Sequence, residues 1–114
     1  MILYEATGLP GGDLPDPPDP YVKTYLLPDR SKKSKRKSEA IKDTVTPVWN
    51  EAFTYDIPAM KLASNQLEVS VVDRKGIFSR RSTMGRCVID LAEVASSEIN
   101  QKWFNLDEVD EDSD

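Results

Sequence analysis

Histidine, cysteine and long apolar segments are scarce or absent in this sequence. There is no histidine, which removes the usual general base near neutral pH, imidazole metal ligands, and the Ser–His and Cys–His nucleophile pairs. The lone Cys87 excludes an internal disulfide and favours a reducing compartment such as the cytosol. No apolar run approaches the roughly 20 residues that span a bilayer, so we expect no transmembrane segment. These absences favour a binding module over an enzyme.

The charge is unevenly distributed along the chain. The 114 residues carry 15 basic and 20 acidic side chains, a net charge of −5. Six of the acidic side chains lie in residues 107–114, so the rest of the chain carries −5 + 6 = +1. We therefore predict one domain over residues 1–106, followed by an acidic, disordered tail over residues 107–114. Six cations, which we call the basic cluster, fall within eight positions: Arg30, Lys32, Lys33, Lys35, Arg36 and Lys37.

Alternation of apolar and polar residues recurs along the chain and predicts seven short strands. They are MILYEA (1–6), YVKTYLL (21–27), KRKSEAIK (35–42), EAFTYDI (51–57), LEVSVVD (67–73), GRCVID (85–90) and KWFNL (102–106). Residues 8–20 hold five prolines and three glycines, so they form a loop and not a central strand. Short strands separated by turn signals predict an all-β sandwich.

Several motifs, taken in order, resemble the C2 domain: DPYVKTYLLPD, the basic stretch after it, TVTPVWNEAFTY, LEVSVVDR, MGRCVIDL and KWFNL. The pattern is most similar to the group of synaptotagmin-like Rab effectors, RIM, extended synaptotagmins and class II phosphoinositide 3-kinases. The resemblance implies an antiparallel Greek-key β-sandwich of eight strands that docks on membranes. The first strand of the usual eight has no counterpart here, which would leave a sheet edge exposed unless something covers it.

The basic cluster supports the main functional hypothesis. Tyr21 and Lys23 project to one side of their strand, and Lys35 and Lys37 share a side of the next. The resemblance implies that these four residues hold the headgroup of phosphatidylinositol 4,5-bisphosphate on the concave sheet. Ammonium groups that converge from alternate positions are well suited to phosphates. The remaining cations of the cluster, among them Lys32, Lys33 and Arg36, would add diffuse attraction to anionic membrane lipids.

Three other interpretations of the basic cluster stay open. Lysines on an exposed edge strand protect against aggregation and need no ligand. A nuclear localisation or nucleic-acid patch is disfavoured because the rest of the protein is not basic, so we expect no nucleic-acid partner. The cluster could instead bind an acidic protein partner, or be covered by the chain's own acidic tail.

The resemblance also raises the question of calcium. Calcium-dependent members bind the ion with five aspartates; here Asp13 and Asp19 match the first-loop pair and Asp73 the first position of the third loop. The next two positions hold Lys75 and Ser82 instead. Calcium takes six to eight oxygen ligands, so we predict only a weak or vestigial calcium site and no other cofactor. We expect the cations of the third loop to bind lipid phosphate directly.

The tip of that loop reads KGIFSRR. Ile77 and Phe78, flanked by Arg80 and Arg81, resemble a membrane-inserting wedge; the alternative is that Phe78 folds back onto the sandwich. Elsewhere we expect Trp49 to be structural, and Trp103 and Phe104 to belong to the core. Together these features predict a module that targets its parent protein to plasma or vesicle membranes from the cytoplasm, as a peripheral protein in vesicle trafficking or exocytosis.

Overall fold

A computed structural model of the chain describes residues 2–10, 16–76, 83–95 and 103–107. Within them lie six strands, two short 3₁₀ helices and one short α-helix. The strands are β1 (Ile2–Glu5), β2 (Pro20–Leu27), β3 (Arg36–Lys37), β4 (Val48–Ala52), β5 (Gln66–Asp73) and β6 (Thr83–Asp90). The 3₁₀ helices span Ala59–Ser64 and Arg74–Gly76, and α1 spans Leu91–Ala95. None of the helices in these ranges is long or apolar enough to cross a membrane.

The strands form two antiparallel sheets, which confirms the predicted all-β class. One sheet has four strands in the order β3-β2-β5-β6, and in the other β1 pairs with β4. The alternation read from the sequence is visible in β2, where Val22 and Thr24 are buried while Tyr21, Lys23 and Tyr25 are half-exposed on the opposite face. One face of the four-stranded sheet therefore supplies the core, and the other carries the polar side chains.

The core lies between the two sheets. Its buried apolar members are Leu3, Leu9, Val22, Trp49, Phe53, Leu67, Val69 and Val71. Trp49 is buried on the inner side of β4, in agreement with the structural role expected for it. Burial of apolar surface at about 25 cal/mol per Å² is the main force that holds the two sheets together.

Two of the predicted strands have different bounds in the structure. The strand expected at 51–57 is instead Val48–Ala52, although the residues after it still alternate between buried and exposed. Its partner is β1, and the register ends with Ile2 opposite Ala52, so residues from Phe53 onward have no β1 residue to pair with. The strand expected at 35–42 is shorter, because only Arg36 and Lys37 pair with β2.

The segment expected as a last strand, 102–106, forms none in its described part. Trp103 is 66% exposed and Phe104 is 39% exposed, so the expectation that both belong to the core is wrong. The described part of the segment lies beside β6, the edge strand of the four-stranded sheet, but only Asp107 pairs with it, through an isolated antiparallel bridge to Arg86. One bridge does not make a ladder. Trp103 and Phe104 instead line an open cleft of about 1460 Å³ between the sheets.

Candidate functional site

Buried serine hydroxyls attach the basic cluster to the edge of the four-stranded sheet. The Ser38 hydroxyl accepts a hydrogen bond from the Val22 amide at 2.8 Å, and the Ser34 hydroxyl accepts one from the Leu26 amide at 3.2 Å. The Ser38 amide in turn donates to the Val22 carbonyl at 2.8 Å. Ser34 and Ser38 are only 4% and 9% exposed. The serines that interleave the cations thus extend a two-residue β3 ladder at both ends.

The turn before β3 presents two cations to solvent. The Asp29 carboxylate accepts a hydrogen bond from the Ser31 amide at 2.8 Å, and the Ser31 hydroxyl accepts one from the Lys33 amide at 3.2 Å. The hydrogen bonds from Ser31 hold the pKa of Asp29 below its ordinary value. Lys32 and Lys33 are exposed on this turn, where their ammonium groups can meet a charged surface.

A row of polar side chains crosses the outer face of the four-stranded sheet. In register, Lys37 of β3 lies opposite Lys23 of β2, Lys23 opposite Ser70 of β5, and Ser70 opposite Arg86 of β6. Directly opposed residues on one face of a sheet are close enough for their side chains to interact. The Arg86 Nε donates to the Ser70 hydroxyl at 3.0 Å. We call Lys37, Lys23 and Arg86 the cationic row.

Aromatic side chains flank the cationic row. Lys37 Nζ lies 5.5 Å from the centroid of the Tyr21 ring, and Lys23 Nζ lies 5.9 Å from that of Tyr25. Such cation–π contacts contribute about 0.5–1 kcal/mol at exposed sites. Tyr21, Lys23 and Lys37 therefore come together as expected, whereas Lys35 is half-buried just before β3.

Arg36 has different surroundings from the lysines on either side of it. It pairs with the buried Thr24, so its side chain projects to the other side of the sheet edge. Its guanidinium group lies 4.5 Å from the centroid of the Tyr55 ring. It also donates to the carbonyl oxygens of Lys33 at 3.0 Å, Lys35 at 3.1 Å and Thr54 at 3.3 Å. These contacts tie the basic cluster to the chain after β4.

The ring beneath Arg36 belongs to a small polar network. The Tyr55 hydroxyl lies 2.7 Å from the Thr24 hydroxyl and donates to the Ser34 carbonyl. Burial raises the pKa of Tyr55, opposed by its hydrogen bond to Thr24 and by the charge of Arg36. The network satisfies the hydroxyl of Thr24, which has no solvent exposure, and so anchors β2 beneath the basic cluster.

One buried acid lies within the outer face. The Glu68 side chain is 3% exposed, and its carboxylate lies 2.6 Å from Arg30 and 3.9 Å from the Nε of Arg86. A buried carboxylate is costly unless it is paired and hydrogen-bonded. Arg30 and Arg86 supply that compensation, so part of their charge is offset by Glu68.

The aspartates predicted as calcium ligands meet at the end of the sheet where β5 terminates. The Asp73 carboxylate accepts hydrogen bonds from the Asp19 amide at 3.0 Å and from the Lys75 amide at 2.9 Å. The Asp43 amide donates to the Asp19 carboxylate at 2.9 Å. That hydrogen bond is the main cause of a lowered pKa at Asp19; burial opposes it and Lys75 supports it. Asp13, the third predicted ligand, lies outside the described residues.

Lys75 occupies the centre of this group of carboxylates. Its Nζ lies 2.6 Å from Asp16 Oδ1, 2.6 Å from the Pro17 carbonyl oxygen and 3.3 Å from Asp19 Oδ1, and it also contacts the Asp43 carboxylate. Hydrogen bonds to these carboxylates, foremost that of Asp16, raise the pKa of Lys75. We expected Lys75 to bind lipid phosphate, but the structure turns its ammonium group toward the chain's own aspartates.

The described carboxylates at this end of the sheet, those of Asp16, Asp19, Asp43 and Asp73, are a poor match for calcium. Their oxygens already accept hydrogen bonds from backbone amides and from Lys75. In the part of the chain that the structure describes, no group of three or more acidic or sulfur side chains could hold a metal ion. The predicted wedge, Ile77 and Phe78 with Arg80 and Arg81, lies outside the described residues, so its insertion into a membrane stays a prediction.

Arg86 was not among the residues singled out from the sequence. The alternation in GRCVID places it on the face opposite Cys87, but only the register with β5 and β2 places it in a row with Lys23. Burial, supported by Asp107, raises the pKa of the Cys87 thiol on the inner face. The available signal was a cation at an outward position of the predicted strand 85–90.

Comparison with known sequences identifies similar domains. The family model of the C2 domain matches residues 1–106. Extended synaptotagmin-1 of Pongo abelii is 39% identical over 92 residues, which cover 80% of this chain and 8% of that protein. Regulating synaptic membrane exocytosis protein 1 of Homo sapiens is 36% identical over 113 residues, covering 97% of this chain and 7% of that protein. The chain thus spans less than a tenth of the length of these relatives.

Solved structures of C2 domains have folds similar to that of this chain. A C2 domain of RIM2 superposes with a TM-score of 0.75 at 29% identity, covering 93% of this chain and 82% of that one. A C2 domain of plant extended synaptotagmin 1 gives a TM-score of 0.68 at 29% identity, covering 81% of this chain and 66% of that one. A calcium-bound structure of two C2 domains of extended synaptotagmin 2 gives 0.66 at 26% identity, covering 85% of this chain and 30% of that one.

Proposed function

The chain belongs to the C2 domain family, and from that premise we propose that it attaches its parent protein to phosphoinositide-containing anionic membrane without needing calcium. A C2 domain is a binding module, and the family resemblance read from the sequence is confirmed. We propose residues 1–106 as the domain and 107–114 as its acidic tail. The setting we propose is the cytosolic face of plasma or vesicle membranes during trafficking or exocytosis, in keeping with relatives such as regulating synaptic membrane exocytosis protein 1.

The observation that carries this proposal is the cationic row. Lys23 and Lys37 face each other across neighbouring strands, which lie about 4.8 Å apart. One phosphorylated headgroup can therefore contact both ammonium groups, while Arg86 lies in line with them two strands beyond Lys23. Convergent charged donors form strong hydrogen bonds with phosphate oxygens. Phosphatidylinositol 4,5-bisphosphate carries several phosphate groups. It can therefore form more hydrogen bonds with the cationic row than a lipid with a single phosphate can.

The expected affinity is modest. A basic residue near an anionic membrane contributes about 1 kcal/mol, and less beyond a Debye length. The exposed lysines of the turn and the row together contribute a few kcal/mol, which corresponds to reversible attachment. Stable anchoring takes a second contact, and we propose that Ile77 and Phe78 supply it.

Liposome co-sedimentation with two charge-matched double variants tests the proposal. Lys23→Ala/Lys37→Ala removes two cations of the row, and Lys32→Ala/Lys33→Ala removes two from the turn. Vesicles of equal surface charge contain either phosphatidylserine alone or phosphatidylinositol 4,5-bisphosphate, with calcium or a chelator. Diffuse attraction of about 1 kcal/mol per lysine predicts a loss of roughly 30-fold for either variant on either vesicle. We expect the row variant to lose more than this on phosphoinositide vesicles, because its headgroup hydrogen bonds are lost as well, and only the diffuse part on phosphatidylserine.

The turn variant is the control, because it should lose equally on both vesicles. Equal losses for the two variants on both lipids would contradict headgroup recognition and leave only diffuse attraction. Binding that appears only with calcium would refute the calcium-independent part of the proposal. No binding in any condition would refute the membrane function.

A second candidate is that the basic face binds an acidic polypeptide, either a protein partner or the chain's own tail. The backbone of Asp107 pairs with that of Arg86 at 2.9 and 3.0 Å, so the tail begins beside one end of the cationic row. Removing residues 108–114 tests whether the chain's own tail covers the basic face. Masking predicts stronger liposome binding after the deletion, whereas unchanged binding would argue against it.

A further inference from the structure

We propose that the ammonium group of Lys75 is a built-in cation that holds the loops at one end of the domain together in place of a metal ion. The proposal concerns how these loops are held, and it does not depend on the lipid that the outer face binds. It explains why three aspartates lie close together in a part of the chain whose donor set does not suit calcium.

The contacts of Lys75 join three separate segments of the chain. Its Nζ lies 2.6 Å from Asp16 and from the Pro17 carbonyl oxygen, which precede β2, and it contacts Asp43, which follows β3. Lys75 itself follows β5, in the short 3₁₀ helix Arg74–Gly76. A coordinated metal ion typically gathers oxygen atoms from distant segments in this way. Here a covalently attached ammonium group gathers them.

The positive charge of Lys75 offsets the repulsion among the carboxylates around it. Asp16, Asp19 and Asp43 direct their Oδ1 atoms at one ammonium group; without it, three carboxylates would face one another and repel. An ammonium group has three donors and no acceptor, so it satisfies several of these oxygens at once. The Lys75 side chain is 30% exposed, which leaves it partly shielded from water.

The Lys75 ammonium group also disfavours calcium binding. The ion requires six to eight oxygen ligands, and Asp16, Asp19 and Asp43 already share the Lys75 ammonium. The Asp73 carboxylate is engaged by two backbone amides. A calcium ion would have to displace a positive charge that is tethered beside its ligands. The loop end therefore keeps one charge and one arrangement at any calcium concentration.

Thermal unfolding with and without calcium tests the proposal. Lys75→Met keeps the length of the side chain and removes its charge; Lys61→Met, in the exposed part of the first 3₁₀ helix, is the matched control. Each protein is melted in chelator and in about 1 mM calcium, the weak end of protein calcium sites. We expect wild type and Lys61→Met to melt at the same temperature in both solutions. Lys75→Met should melt several degrees lower in chelator and recover part of that loss with calcium.

Two melting results would overturn the proposal. One is a wild-type melting temperature that rises with calcium, since the ion would then bind beside Lys75. The other is a Lys75→Met variant that melts like wild type in chelator. A measurement on the unmodified chain applies even if the variant fails to fold. In an NMR titration of the lysine side chains, the pKa of the Lys75 ammonium should lie above the ordinary lysine value because of its carboxylate partners, and a pKa at the ordinary value would contradict the proposal. None of these tests depends on liposome binding, so their results are independent of the proposed membrane function.

Discussion

Arg36 and Lys37 are neighbours in β3, yet the structure predicts that replacing each by Met has a different consequence. Arg36 donates to three backbone carbonyl oxygens and covers the Tyr55 ring. Two of these hydrogen bonds are exposed and one is part-buried, so each contributes roughly 0.5 kcal/mol, and the cation–π contact contributes about 0.5–1 kcal/mol. Arg36→Met should therefore lower the free energy of unfolding by about 2 kcal/mol. Lys37 is exposed and makes only the cation–π contact with Tyr21 among these interactions, so Lys37→Met should lower it by about 0.5 kcal/mol.

The two variants lose the same formal charge, so they also separate structural from lipid contacts. Urea unfolding gives the stability, and co-sedimentation with phosphoinositide vesicles, well below the melting temperature, gives the binding of folded protein. We expect Lys37→Met to partition about five-fold less, from about 1 kcal/mol, with only a small shift of the urea midpoint. Arg36→Met should lower the midpoint and lose less binding. Equal midpoints for the two variants, or a larger binding loss for Arg36→Met, would refute the assignment of roles.

Two further changes test the packing and the electrostatics. In Gly85→Ala the new Cβ would lie 2.8 Å from the Leu106 Cβ, so we expect about 1–3 kcal/mol of destabilisation by urea unfolding; unchanged stability would mean that Leu106 does not pack there. The pKa of Asp19 is lowered mainly by the Asp43 amide, so its ionised form adds stability above its unfolded pKa of about 3.9, lost as the pH falls through the folded pKa. Asp19→Asn should flatten the acid side of a plot of melting temperature against pH, and an unchanged slope would contradict this.

The strands that could be predicted from the sequence are those whose pattern is local. β2 and β5 alternate clearly and pair along eight residues each. The segment 53–57 alternates as well, but a strand also needs a partner, and β1 ends at Ile2 opposite Ala52. Residues 103–106 form no strand for a related reason, since in the described part of this segment only Asp107 pairs with β6. Pairing partners are distant in sequence, and local pattern does not reveal them.

The residues of the candidate site likewise fall into those that local pattern predicts and those that depend on the three-dimensional structure. Alternation was sufficient to place Lys23 on the outer face, and the basic cluster suggested its partner Lys37. The register across β5 and β6 was needed to add Arg86. For Lys75, the count of charges indicated a poor calcium site, but the direction of its side chain depends on the positions of Asp16 and Asp43 in space.

The short ladder of β3 has a consequence for motion. Only two residues of the basic cluster pair with β2, and serine hydroxyls complete the attachment. Regions with few such bonds open at a lower free energy than the global unfolding reaction. A headgroup held between Lys23 and Lys37 would bridge the two strands and shift this local opening equilibrium toward the closed state. Amide hydrogen exchange at Ser38, whose amide donates to the Val22 carbonyl at 2.8 Å, should therefore slow when the domain binds its lipid.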